Sequence, residues 1–450
     1  MRVIDQLSQH IAAARATELP SEVVRKAKHH ILDTIAAMVS GSKLRPGRLA
    51  IRYARSQRGK RESTVVGGSL LVPAATAALV NGILAHADET DDTHSRSRTH
   101  PGCAIVPAAL AMGEKENGDG RILLQSVVIG YDVNCRMTRA LGIEHLGSHS
   151  TYGIGGTFGA AAAAGTLAGF DARQTRWVLS YAAQQASGVR SWVRDSEHIE
   201  KAFDFGGMPA RNGVTAAVLV ESGFTGIEDV FEGEKNFLSA YSPSPEPAIL
   251  VDGLGSSYEI MGTSIKRFPV GAPIQAAADA LLLIKDRHEF RPESVKRVVV
   301  RLPKDGAETV NDRHMPDINL QYIMAVILLD GMLSFEAAHS YRRMKEKKLL
   351  ELKARVELIP DDSLATVAAP RQGIVEVTIE SGETFREHVV SVRGTPANPM
   401  STEEVEKKAL DLMAPVLGEE RSQELIGKMR DLESLTSVRD LRPLLKRGGV

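Results

Sequence analysis

With 450 residues, 43% hydrophobic and 25% charged, the chain has an ordinary globular composition and is too long for one core, so two domains are expected. A net charge of −1 without a long basic block excludes the electrostatic footprint of a nucleic-acid partner. Two cysteines, Cys103 and Cys135, are too few for a cubane iron–sulfur cluster, and no CxxC or HxxxH zinc spacing occurs.

The first residues, Met1 to Leu7, carry an acid and lack the apolar run of a signal peptide, so a cytoplasmic protein is expected. Ser21 reads as the N-cap of a helix over Glu22 to Gly41. Ser63 to Val66 reads as a short edge hairpin. Helices are predicted over Val72 to Ala87, Arg121 to Leu141, Thr157 to Gly169, Ala172 to Gly188 and Ala210 to Glu221. The weakly polar run Gly153 to Phe170 is dominated by Gly and Ala, whereas a span needs about 20 strongly apolar residues. It reads as an interior helix, and no membrane partner is expected.

Near Ser264 the pattern changes. Val295 to Leu302 is valine-rich, Ala354 to Ile359 alternates, and Gly373 to Glu380 places Val375, Val377 and Ile379 on one face. Ser381-Gly382 is a two-residue turn leading into a return strand from Glu383 to Val392. Helices are predicted between the strands, at Asn319 to Asp330 and Phe335 to Lys345. Ser401 and Glu404 form a capping-box pattern before a helical tail. The expected fold is mainly α: a large, discontinuous all-helical domain (1–263 and 398–450) and a smaller α+β lid domain (264–397).

From His86 to His100, four acids, three histidines and three threonines crowd fifteen positions after an apolar run. Burying unpaired charges costs several kcal/mol each, about, so such density points to a site more than to a scaffold. Glu89, Asp91, Asp92, Thr93 and His100 could be a calcium or magnesium loop, a solvated helix end, or acid–base machinery. The first lacks the central Gly and distal Glu of an EF-hand. The last is favoured, because a histidine beside carboxylates is tuned near neutrality. His149 lies in the glycine- and hydroxyl-rich stretch Gly147 to Thr157, whose spacing matches neither a P-loop nor GxGxxG. Lys201, Lys266, Arg267 and Tyr322 would each, alone, pass for surface or packing residues. Trp177 and Trp192 read as packing or loop anchors.

Taken together, these segments resemble the MmgE/PrpD family, which includes 2-methylcitrate dehydratase, cis-aconitate decarboxylase and iminodisuccinate epimerase. The resemblance runs through Leu32-Asp-Thr-Ile-Ala, Gly130-Tyr-Asp-Val-Asn-Cys-Arg136, Gly156-Thr-Phe-Gly-Ala-Ala-Ala, Ala210-Arg-Asn-Gly213 and the Tyr322 helix. The His86–His100 cluster is similar to the family's HALDFDDTH…THP signature. The resemblance implies a homodimer, a site between helical domain and lid, and chemistry on a small anionic carboxylate without metal or other cofactor. It assigns His100, His149, Lys201, Tyr322 and Thr93 as catalytic residues, with Glu89 or Asp92 orienting an imidazole. His94, Lys266, Arg267 and Gln275 are the candidate substrate-binding residues. Two departures stand out: Glu89 where the family usually has aspartate, and Gln275 where many members have histidine.

The chemistry so implied is proton removal next to a carboxylate, or capture of the carbanion left by CO2, with cationic groups holding the developing charge. A 2-methylcitrate dehydratase-like hydro-lyase is the first expectation. A cis-aconitate-type decarboxylase, a dicarboxylate epimerase or isomerase, and a non-catalytic dimeric carboxylate-binding protein are the alternatives.

Overall fold

The structure, a computed structural model, describes residues 1–366 and 369–447. Two compact units emerge: one of Met1–Ala87, Asp91–Thr263 and Thr402–Val450, the other of Asp88–Thr90 and Ser264–Ser401. The fold is mainly α with small sheets. Among the described residues, no helix is long and apolar enough to cross a membrane.

The larger unit is built around the Thr151–Ala168 helix, which packs against the Pro101–Glu116, Gly120–Leu141 and Met208–Glu221 helices. Its Ala160 to Ala164 run is at most 1% exposed. Small side chains here exchange apolar area for close backbone approach: a Cβ on Gly159 would lie 2.6 Å from the Gly130 carbonyl oxygen. The helix begins nearly two turns before the predicted Thr157, because Ser150 caps it by accepting the Gly153 N–H. Gly153, Gly155 and Gly156 are therefore helical, whereas Gly147 precedes the helix. Conversely, Ser21 is the first helical residue and Pro20 the N-cap, correcting the expected boundary. The sequence pattern does not announce the Pro101–Glu116 helix, since Pro101 and Pro107 read as breakers. Pro101 occupies the first turn, where its missing N–H is no loss. A two-stranded antiparallel hairpin joins β1 (Ser63–Thr64) to β2 (Leu71–Val72).

The smaller unit carries a four-stranded sheet of β3 (Val295–Leu302), β4 (Val356–Pro360), β5 (Gly373–Ile379) and β6 (Thr384–Val389), in the order β4-β3-β5-β6. β3 is parallel to β4 and antiparallel to β5, and β5 is antiparallel to β6. Gly382, at φ +90°, turns the β5–β6 hairpin. Val298, Val300, Val375 and Val377 are fully buried in a core shared with the Gln275–Arg287 and Leu320–Asp330 helices. The latter is capped by Asn319, whose side chain accepts the Tyr322 N–H, and stopped by left-handed Gly331. The predicted Phe335–Lys345 helix is helical only over Phe335–Ala338, with a separate 3-10 turn at Arg343–Lys345. It stops where the His339 ring turns back onto the Phe335 carbonyl (2.8 Å).

Candidate active site

The larger unit gathers an imidazole pair on a single carboxylate oxygen. The Ala74–Ala85 helix ends at His86, and His100 immediately precedes Pro101 of the next helix. Their Nδ1 atoms lie 2.9 and 3.1 Å from Asp91 Oδ2. His86 and Asp91 are fully buried, whereas the His100 side chain keeps 10% of its surface exposed. Burial works against charge on Asp91, but the His86 and His100 imidazoles outweigh it and hold the carboxyl well below the usual range.

Backbone contact fixes the other wall. A Cβ on Gly82 would sit 2.4 Å from the Gly206 carbonyl oxygen, and one on Gly206 would sit 2.1 Å from that of Gly82. This crossing lies one turn before His86 and one residue after Phe205, so their rings stack at 4.4 Å and 15°. The Phe203–Gly207 segment is a π-helix turn opening into Met208–Glu221, a form frequent at functional sites. Tyr152 stacks on Phe205 at 3.6 Å, Trp192 meets Phe205 edge-on at 4.6 Å, and Tyr152 lies 5.4 Å from His100. The Lys201 ammonium lies 5.0 Å from the Phe205 ring centre and 5.7 Å from that of Trp192. His198 adopts a left-handed φ of 59° and brings its ring within 5.0 Å of His86. Beside Phe205, Asp204 accepts the Ser150 hydroxyl; burial pushes its carboxyl up to about 7, against that bond.

His100 and Lys201 therefore share one aromatic cluster with three residues not singled out as catalytic from sequence: Asp91, His86 and Tyr152. Asp92 faces elsewhere. Its Oδ2 accepts from His30 Nδ1 (2.7 Å) and the Tyr131 hydroxyl (2.6 Å), and its Oδ1 accepts the Gly102 N–H (3.0 Å) at the start of the Pro101 helix. It thus fixes the approach to His100 through the backbone. Both ring nitrogens of buried His94 are engaged, Nδ1 with Ser97 (2.7 Å) and Nε2 with Glu259 (3.3 Å). Burial opposes its charge, but Cys135 and Glu259 raise it to about 10. Thr93 is half-buried. His149 is exposed; among the described residues its ring contact is with Tyr241, at 5.1 Å. Two sets in this unit place possible metal-ligand atoms within 4.8 Å of one another: His86, Asp91 and Cys103, and His94, Cys135 and Glu259.

Within the smaller unit, Lys266 donates to the Glu89 carbonyl (2.7 Å) and lies 3.5 Å from its carboxylate. Gln275 accepts the Phe268 N–H and donates to the Phe268 and Val270 carbonyls, so its amide holds that loop. Arg267 pairs with Asp279 at 2.8 Å. Buried Tyr322 donates to the Ala337 carbonyl at 2.7 Å, and burial pushes its phenol up to about 12. His339 was not anticipated. Its Nδ1 lies 2.8 Å from the Phe335 carbonyl, and its Nε2 lies 2.8 Å from Asp88 as an ion pair without hydrogen-bond alignment. Burial opposes its charge, yet Asp88 and Asp317 raise it to about 9, while burial lifts Asp317 to about 6 against His339.

Family models for the MmgE/PrpD N-terminal domain and the MmgE/PrpD C-terminal domain match residues 5–250 and 268–433. The chain belongs to the MmgE/PrpD family. Among MmgE/PrpD relatives, it is 26% identical to cis-aconitate decarboxylase of Homo sapiens, over 99% of this chain and 94% of that protein. It is 26% identical to the Mus musculus enzyme of the same name, over 99% and 93%. A third, cis-aconitate decarboxylase of Aspergillus terreus, is 24% identical over 97% and 94%. The MmgE/PrpD signature draws attention to Glu89, Asp92 and His100. Which of several adjacent acids holds the imidazole is not encoded in spacing, because residues 86–100 follow no regular period.

Proposed function

We propose that the protein is a lyase that transfers protons at carbon beside a carboxylate, with His100 as the group that exchanges the proton. The Asp91 oxygen shared by two imidazoles carries this reading. With Nδ1 of His100 directed at Asp91, the carboxylate holds the ring and stabilises the imidazolium formed when His100 takes a proton. Lys201, held over two rings, supplies positive charge for a substrate carboxylate.

Decarboxylation is supported by the named activity of the relatives and by the aromatic surroundings of His100, where a dry setting favours loss of a charged group as neutral CO2. The bond to the leaving carboxylate breaks, its electron pair passes into the adjoining unsaturated acid as an enolate-like anion, and protonated His100 returns a proton to carbon. Dehydration is the second reading. It uses His100 as the base and needs an acid on the leaving hydroxyl, and the Tyr152 phenol, on a ring 5.4 Å away, could provide it.

The test is a panel of unsaturated and hydroxy mono-, di- and tricarboxylates in D2O followed by NMR. CO2 release with deuterium in the product supports decarboxylation; alkene without CO2 supports dehydration. His100→Ala should lower either rate at least about 100-fold with unchanged circular dichroism, since general acid–base steps contribute about 10²–10⁴-fold. Turnover in His100→Ala within a factor of about two of the parent refutes the assignment.

A further inference from the structure

We propose that the substrate of the His100 site carries a flat apolar group, aromatic or conjugated, beside at most two carboxylates, and is not a tricarboxylate. This rests on the lyase reading above and narrows the substrate class. Three observations support it.

The first is the wall. The partly exposed side chains of the cluster are His100, Tyr152, Trp192 and Lys201, around the buried Phe205 ring. The two largest rings, Tyr152 and Trp192, stand at 81° to one another with centres 5.6 Å apart. Such a corner offers one face and one edge to a planar group, the arrangement aromatic pairs prefer. Apart from the Tyr152 hydroxyl and the Trp192 N–H, the two side chains present carbon surface.

The second is charge. Among the described residues, the cation in ring contact with this cluster is Lys201. A tricarboxylate arrives with about three negative charges at neutral pH, and each one buried without a partner is costly.

The third is an unused donor. The Trp192 indole N–H is buried and has no acceptor among the described residues. A buried N–H without an acceptor is uncommon and is satisfied when a ligand brings an oxygen. A carboxylate clamped between Lys201 and that indole would leave the rest of the molecule against Tyr152.

Titrating the full-length protein with succinate, phenylsuccinate and tricarballylate by calorimetry, with tryptophan fluorescence as a second signal, tests the proposal. Phenylsuccinate should bind at least about tenfold more tightly than either other ligand. Trp192→Ala should erase that advantage, weakening phenylsuccinate at least about tenfold more than succinate, with melting temperature as the check on folding. Tightest binding of tricarballylate, an equal loss for all three ligands in Trp192→Ala, or no binding of any of them would overturn it. The two readings fail separately. If tricarboxylates are turned over in a His100-dependent way, the lyase stands and this substrate class falls. If phenyl ligands bind selectively but no carboxylate in the wider panel reacts, the recognition stands and the lyase falls.

Discussion

Replacing His339 by Gln should destabilise the protein in a strongly pH-dependent manner. In the smaller unit His339 faces Asp88 at 2.8 Å, Asp317 at 3.9 Å and the Phe335 carbonyl at 2.8 Å. Its folded pKa of about 9 lies above an unfolded value of about 6.5. The difference, at about 1.4 kcal/mol per unit, corresponds to about 3 kcal/mol, within the range for breaking a buried pair. Because the folded value is raised, this stabilisation is fully present below about pH 6.5 and is lost as pH rises through about 9. Asp88 has the opposite sign. Burial pushes its carboxyl up, but His339 and Thr90 lower it overall, so its contribution holds above its unfolded value and disappears in acid. Urea denaturation followed by far-ultraviolet circular dichroism, at intervals between pH 5 and 10, about, would give the difference between parent and His339→Gln. The gap should be widest near pH 6, about, and close toward pH 10, about. A gap that is constant, or that widens with alkali, would refute the argument that a charged imidazole is what this cluster stabilises.

Asp91→Asn keeps the shape beneath His86 and His100 but removes the charge. Losing about 1.5–3 kcal/mol of charge-assisted hydrogen bonding should cut turnover about 10- to 100-fold and, because the pair is buried, lower the melting temperature as well. Asp92→Asn should lower the melting temperature through His30, Tyr131 and the Gly102 N–H but cost turnover less than Asp91→Asn, so kinetics and thermal melts of the two variants together check the division of labour. Gly206→Ala forces a methyl to within 2.1 Å of the Gly82 carbonyl oxygen and should destabilise by about 2 kcal/mol or more; a melting temperature equal to that of the parent would sink the backbone-contact argument. Gln275→Ala leaves the Phe268 and Val270 backbone groups without their amide partner and should cost about 1–3 kcal/mol in denaturant unfolding.

Much of the fold was legible because its physics is local. The alternation Val375, Val377, Ile379 announces a strand, and helices at Gly120–Leu141 and Leu320–Asp330 follow from periodicity and caps. The Thr151 helix was read two turns short because glycine permits both a loop and a close helix crossing, and only the partner backbone decides between them. The motif that betrays the family brought His100 and Lys201 to attention, and they do share a cluster. Asp91 was weighed in the acidic segment, yet Glu89 or Asp92 was expected beside the imidazole; neighbouring acids in an irregular segment point in directions no period predicts. Trp192 was read as an anchor and Tyr152 was passed over, since an aromatic side chain alone says nothing of which ring it will meet. His339 carried no signal at all. Its partner Asp88 is distant in sequence, and a lone histidine after a short helix resembles any surface histidine.

The tripeptide Asp88–Thr90 is counted with residues 264–401, although the chain on either side of it is not. It supplies the acids for two buried cations there, Lys266 and His339. A fragment cut at the obvious seams would therefore emerge with Lys266 and His339 sealed inside and Asp88 and Glu89 left on the discarded piece, while Asp317, 3.9 Å from His339, stays behind. The smaller unit is not a self-sufficient module without them, and recombining this chain with a relative would have to carry three residues across from far upstream.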